Sequence, residues 1–175
     1  MTAESKALLD TIVAHEIRLS ISLLNDMNSS CTSGLNGFKR FFRYSSMDRN
    51  RHSIMLNNFV ADFNQLELSI EVSVPARTTA MSLKQALDTY SAECVTHIDR
   101  LKAACASAVT EGELLLMSYL NMMIKDQSEE LMRLKRLIVD LAMPSLDLRA
   151  FDKELHCKYK VLEKEKFNFE SMNAY

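Results

Sequence analysis

Glycine and proline are scarce in this chain, with 3 Gly and 2 Pro in 175 residues. So few breakers leave little room to interrupt regular structure, which favours long helices. An excess of charge of one sign is also lacking. The net charge of −2 and a pI near 6.1 give no polyelectrolyte signal, so nucleic acid is not an expected partner. No apolar run approaches the roughly 20 residues of a membrane span, so no membrane-embedded role is expected. Four cysteines (Cys31, Cys94, Cys105 and Cys157) show no CxxC spacing. Cys94 and Cys105 fall on one helical stretch, about 16 Å apart along its axis, which is too far to bridge. Reduced thiols and a polar start, Met-Thr-Ala-Glu-Ser-Lys, with no signal-peptide apolar core point to a cytoplasmic protein. The length fits one domain spanning 1–175 with a full core.

What is present is helical periodicity. A first helix is expected over about 5–27, its inward stripe being Leu9, Ile12/Val13, Glu16, Ser20, Leu23/Leu24 and Met27. The segment 28–36, rich in Ser, Thr and Gly, reads as a connector. A second helix is expected over about 37–65. Residues 66–79 then alternate Leu66, Leu68, Ile70, Val72 and Val74 with polar residues, ending near Pro75. That period of two marks an extended link able to cross the length of a bundle. A third helix is expected from an N-cap at Ser82 to about 108, and a fourth over about 113–142. Pro144 and Ser145 break the chain before a fifth helix over about 145–162 and a polar tail over 163–175. Four long helices, one long crossover and a shorter fifth helix describe an all-α four-helix bundle, with the bundle proper over about 5–142.

The second helix holds the most informative residues. Its stripe runs Phe38, Phe41/Phe42, Ser45, Arg49, His52, Met55/Leu56, Phe59 and Phe63, which turns Arg49 and His52 into the core. Glu-x-x-His at such a place is the metal-holding motif of di-iron carboxylate bundles. Here the histidine is kept and the carboxylate is replaced by a cation. Glu16 sits mid-stripe on the neighbouring helix, so a buried Glu16–Arg49 ion pair is the expected structural outcome.

Several strings in this order resemble ferritin. Gly37-Phe38-Lys39-Arg40-Phe41-Phe42 is similar to that family's Gly-Phe-Ala-Lys-Phe-Phe, Pro75 falls where its long connector carries a proline, Tyr119-Leu120 resembles its Phe-Leu, and Phe151-Asp152-Lys153 its Phe-Asp-Lys. The resemblance covers most of residues 5–153. It implies a ferritin-like bundle, assembly into a 24-subunit shell or co-assembly with other ferritin subunits, and an iron mineral in the lumen as cargo.

Carried over position by position, the resemblance also implies lost chemistry. Glu16 and His52 match two iron ligands and are remnants of that set. The bridging carboxylate is Arg49, the third-helix carboxylate falls on Cys94 (or on Glu93 in a register one residue off), and the fourth-helix glutamine falls on Ser128, with Gln127 beside it. Two iron ions need several oxygen ligands of negative charge, and a guanidinium works against that need. No stoichiometric metal and no ferroxidase activity are therefore expected, so the chain is read as no enzyme. The acids of the three-fold pore fall on Ser118 and Asn121. Cavity-facing positions carry Arg40, Arg43, Tyr44, Met47, Asp48 and Arg51, which matches the light-type subunit in its inactive centre and departs from it in its mineral-seeding acids.

Three alternatives stand beside this reading. A mononuclear metal site would draw on Glu16, His52, Glu93 and His97. Cys94 would be a reactive thiol only if Arg49 lowered its pKa, and is otherwise a small core residue. The Arg40/Arg43/Arg51 face is either a solvated helix face or an anion-binding surface. In function, a storage-cage subunit without its own oxidase competes with a repurposed, chaperone-like or protective shell that has no iron role. The roughly 22 residues after Phe151-Asp152-Lys153, longer than the family norm, favour the second.

Overall fold

A computed structural model describes residues 1–74 and 81–167; Pro75, the side chain of Cys31 and the tail beyond residue 167 lie outside the described residues. The architecture is the expected all-α one: α1 (Ala3–Thr32), α2 (Asn36–Asn64), α3 (Leu83–Thr110), α4 (Leu114–Leu141) and α5 (Leu148–Lys166). The first helix runs through most of the expected 28–36 connector. A turn at 33–35, with Gly34 at φ 73°, then reverses the chain. Gly112, at φ 74°, does the same between α3 and α4. Both positions need a conformation that other residues adopt only at a cost.

Among the described residues the link after α2 pairs with no strand, and Gln65 enters it in the left-handed region. Leu66, Leu68, Val72 and Val74 are half-buried while Glu67, Ser69, Glu71 and Ser73 face out, so the period of two holds at both ends of the link and is broken at Ile70, which is exposed. Leu66 and Leu68 pack against the core. Ser82 caps α3 in a reciprocal box with Gln85. Asp147 caps α5, accepting from the Arg149 and Ala150 amides at 2.9 and 3.2 Å.

The core is split in two. One apolar cluster gathers Leu23, Phe38, Phe41, Phe42, Leu87, Leu134 and Leu137; the other gathers Leu9, Ile12, Val13, Leu56, Leu101, Leu120 and Met123. Burial of such side chains stabilises the fold by about 1.5–3 kcal/mol each. Polar residues occupy the level between the clusters.

The fifth helix departs from expectation in length. It runs to Lys166 rather than about 162, and it lies along α2 in the same chain direction. Tyr159 packs edge-on to Phe41 and Tyr44, each at 5.3 Å between ring centroids, and Phe167 packs on Tyr44 at 5.5 Å. The N-terminus of α2 has no cap of its own at Leu35. Asp152, buried and 115 residues away from Gly37, supplies it: its Oδ1 accepts from the Gly37 and Phe38 amides at 2.8 and 3.0 Å. This satisfies two amides that the first turn leaves unpaired, and sets a carboxylate at the positive end of the helix. Only glycine permits the approach, since a Cβ at residue 37 would stand 1.9 Å from the Asp152 carbonyl oxygen.

Two substitutions test this docking by denaturant unfolding. Gly37→Ala must separate α5 from α2 and is expected to cost about 3 kcal/mol or more. Asp152→Ala keeps the space, loses the cap, and is expected to cost about 1–2 kcal/mol.

Candidate functional site: a polar layer inside the bundle

Every bundle helix contributes to the polar level. The 3.6-residue period turns Glu16 of α1, Arg49 and His52 of α2, Tyr90, Cys94 and His97 of α3, and Gln127 and Glu130 of α4 toward one another. Arg49 is wholly buried and is the largest fully buried side chain in the described chain. Its Nη1 donates to Glu16 Oε2 at 3.3 Å, its Nη2 to Glu130 Oε2 at 3.0 Å and to Cys94 Sγ at 3.1 Å, and its Nε to the Tyr90 hydroxyl at 3.2 Å. Tyr90 in turn donates to Glu130 Oε1.

Glu16 is held on its other oxygen. Gln127 Nε2 donates to Glu16 Oε1 at 3.3 Å, and His97 Nε2 stands in ion-pair contact with the same oxygen at 2.8 Å. Gln127 Nε2 also lies 2.7 Å from His52 Nδ1, while His52 Nε2 looks toward Asp48 Oδ1 at 3.8 Å. A second chain of contacts leaves the layer for the surface. His97 Nδ1 meets His15 Nδ1 at 2.9 Å, His15 Nε2 meets Glu93 Oε2 at 2.8 Å, and Arg18 donates to the same Glu93 oxygen at 2.8 Å.

The electrostatics follow from burial and pairing. Burial alone would push Glu16 up, but the neighbouring His97 and Arg49 charges outweigh it and hold the carboxyl at about 2. Arg49 is raised well above its ordinary value: burial opposes its charge and is overcome by Glu130, Tyr90 and Glu16. Burial pushes Cys94 up to about 12 despite the adjacent guanidinium, so this group is a thiol at neutral pH and not an activated nucleophile. Burial lowers His15 to about 4, leaving a neutral ring that donates from Nε2 to Glu93 and accepts at Nδ1 from His97.

The fourth-helix position needs correction. Ser128 is half-buried and donates to the Ile124 carbonyl of its own helix, whereas Gln127 is the fully buried residue of the layer. On α3, Cys94 occupies the interior and Glu93 the rim. The four residues of the mononuclear alternative are divided in the same way: Glu16, His52 and His97 lie inside, Glu93 outside. Among the described residues no three His, Cys, Asp or Glu side chains are placed to hold a metal ion.

The expectation of an open face carrying Arg40, Arg43, Asp48 and Arg51 also needs correction, because α5 lies over it. Arg40 reaches Glu163 at 2.6 Å and Arg43 the same carboxylate at 3.7 Å. Asp48 is buried, with Lys166 at 2.6 Å and Arg51 at 3.5 Å. Ser118 and Asn121 are exposed on α4.

Two participants, Glu130 and His15, are not marked by the inward stripes of the sequence, whereas Tyr90 lies on the inward stripe of the third helix and is buried as that stripe predicts. Glu130 lies in the charge-rich stretch 125–135, yet it is buried. The spacing Met123, Gln127, Glu130, Leu134 carried the signal, since these share one helical face. His15 follows the same logic beside Glu16.

No family model matches the sequence, and no curated protein matches it significantly. Solved structures do. An engineered closed form of the Archaeoglobus fulgidus ferritin superposes with a TM-score of 0.81 at 18% identity, over 89% of this chain and 96% of that one. The open-pore ferritin of the same hyperthermophilic archaeon gives 0.81 at 19%, over 89% and 98%. An iron-soaked PmFTN variant gives 0.75 at 19%, over 86% and 98%. The chain has the ferritin fold. Among the described residues no helix is long and apolar enough to cross a membrane.

The layer makes the fold sensitive to acid. His15 titrates lower when folded than when unfolded, so its contribution is complete above about 6.5 and is lost as pH falls toward about 4. Glu16 adds a second loss as pH falls from about 4.5 toward about 2. Unfolding free energy measured against pH is expected to drop by roughly 3 kcal/mol across the first window. His15→Gln is expected to flatten that window and leave the lower one.

Proposed function

We propose that the chain is a shell-forming subunit of the ferritin type, built for iron storage and without ferroxidase chemistry of its own. The observation that carries this reading is the Arg49 guanidinium lodged between Glu16 and Glu130, in the heart of the bundle. The residues present do not fit two iron ions. The carboxylate oxygens aimed at the centre are taken up by a permanent cation, and the third-helix side chain is a neutral thiol. Glu16 and His52 are remnants in this reading, as is the amide of Gln127. Iron enters as cargo rather than as a bound cofactor.

Assembly is the second part of the proposal, either among copies, with 24 as the expected number, or with active ferritin subunits. The isolated chain leaves Phe63, Val109, Leu114 and Leu115 from 54% to 67% exposed at the bundle end formed by the α3–α4 turn and the C-terminus of α2. Patches of that kind favour burial against partners. Ser118 and Asn121 stand nearby on α4 as the neutral counterparts of an acidic pore. A cytoplasmic location belongs to the same reading; Cys94, Cys105 and Cys157 are all unpaired.

One observation favours a second reading, a shell without an iron role. The α2 face on which mineral-seeding acids were sought is covered by α5, and its charges are paired to Glu163 and Lys166. Such a surface offers few free carboxylates to a growing mineral.

Purified protein supplied with ferrous iron in air is expected to consume oxygen no faster than the buffer blank, and rapid saturable turnover would refute the loss of oxidase chemistry. Particles isolated from the native source and imaged by electron microscopy separate the two readings. A closed shell with a dense lumen supports storage, and a closed shell with an empty lumen supports the alternative.

A further inference from the structure

The head of Arg49 is held as a ligand is held by a receptor. It has no exposure, and each nitrogen meets its own acceptor: Nε the Tyr90 hydroxyl, Nη1 Glu16 Oε2, and Nη2 both Glu130 Oε2 and Cys94 Sγ, at 3.0–3.3 Å. These acceptors come from α1, α3 and α4, and none from the helix that carries the arginine. They are themselves fixed, Glu16 by Gln127 and His97, and Glu130 by the Tyr90 hydroxyl. Two carboxylates converge on one cation, so the layer is an anionic cradle whose shape is set without residue 49. Its acceptors spread around a planar fork, an arrangement that suits a guanidinium and leaves a compact ammonium with fewer bonds. Burial in a low-dielectric core strengthens each contact and makes vacancy costly.

We infer that the centre of the bundle is a guanidinium-binding site whose resident ligand is tethered through residue 49, and that it accepts a free alkylguanidinium once that side chain is cut back. This rests on geometry and stands or falls whether or not the chain forms a shell or stores iron. The stem of Arg49, removed by truncation, leaves apolar space that an ethyl substituent fills, so ethylguanidinium is the probe of choice.

The test uses the whole chain with Arg49→Ala, and Arg49→Lys as a variant that keeps the charge and loses the fork. Thermal unfolding is followed by circular dichroism with ethylguanidinium, ethylammonium or zinc chloride. The alanine variant is expected to unfold about 10 °C below the parent. Ethylguanidinium at about 10 mM, far below denaturing concentrations, is expected to recover several degrees of that loss, with ethylammonium recovering none. The lysine variant is expected to be destabilised and to gain nothing from either organic cation. Equal protection by both organic cations would show mere charge screening and overturn the inference. Protection by zinc without protection by ethylguanidinium would make the cradle a metal site and overturn it equally. If the alanine variant does not fold alone, refolding with ethylguanidinium is expected to yield soluble helical protein where ethylammonium does not, and recovery with neither overturns it.

Discussion

The contact between the Arg49 guanidinium and two carboxylates governs the rest of this structure. A cation and two anions cannot be buried between four helices unless each is paired and hydrogen-bonded, because the cost of desolvation otherwise exceeds what packing returns. Arg49 bridges Glu16 and Glu130, Gln127 and Tyr90 donate to these carboxylates, and His97 lies at ion-pair distance from Glu16. That requirement sets the layering of the core. Apolar side chains gather above and below, in two clusters, and the polar groups occupy the level between them. A mixed bundle core of this kind also fixes register, since sliding any helix by one turn would strand a charge.

The layer is not sealed on every side. His15 and His97 carry it from Glu16 to Glu93 and Arg18 at the edge of α1 and α3, and His52 carries it toward Asp48 beneath α5. The neutral state of His15 follows from this position: burial disfavours its charge, and the single partner carboxylate at the rim, shared with Arg18, does not offset that.

The fifth helix changes the outer face of the bundle as much as Arg49 changes the inside. Asp152 caps α2 from across the chain, Gly37 clears the space for it, and an aromatic stack of Phe41, Tyr44, Tyr159 and Phe167 holds the rest of α5 in place. Two of the strings that carried the family resemblance, around Gly37 and around Asp152, prove to be the two sides of one contact. The same packing covers Asp48, pairs Arg40 with Glu163 and pairs Lys166 with Asp48. A helix face that reads as basic and solvated is thus partly paired and partly enclosed.

The sequence by itself determined the helices, their order and the inward direction of Glu16, Arg49 and His52, because helical periodicity and the scarcity of Gly and Pro are local properties. It also carried the extended link, through the alternation at 66–74. It pointed to Glu16 as a partner of Arg49 but did not determine the others. Glu130 sits in a charge-rich stretch, and the resemblance set the fourth-helix glutamine on Ser128 rather than on the adjacent Gln127, since a shift of one residue moves a side chain about 100° around a helix and nothing local reports it. Nor did it show that α5 lies along α2, because that depends on a cap and a close approach between residues 115 positions apart. Tertiary structure decided these points through the demand that buried charges and helix ends find partners, a demand met only where separate helices converge.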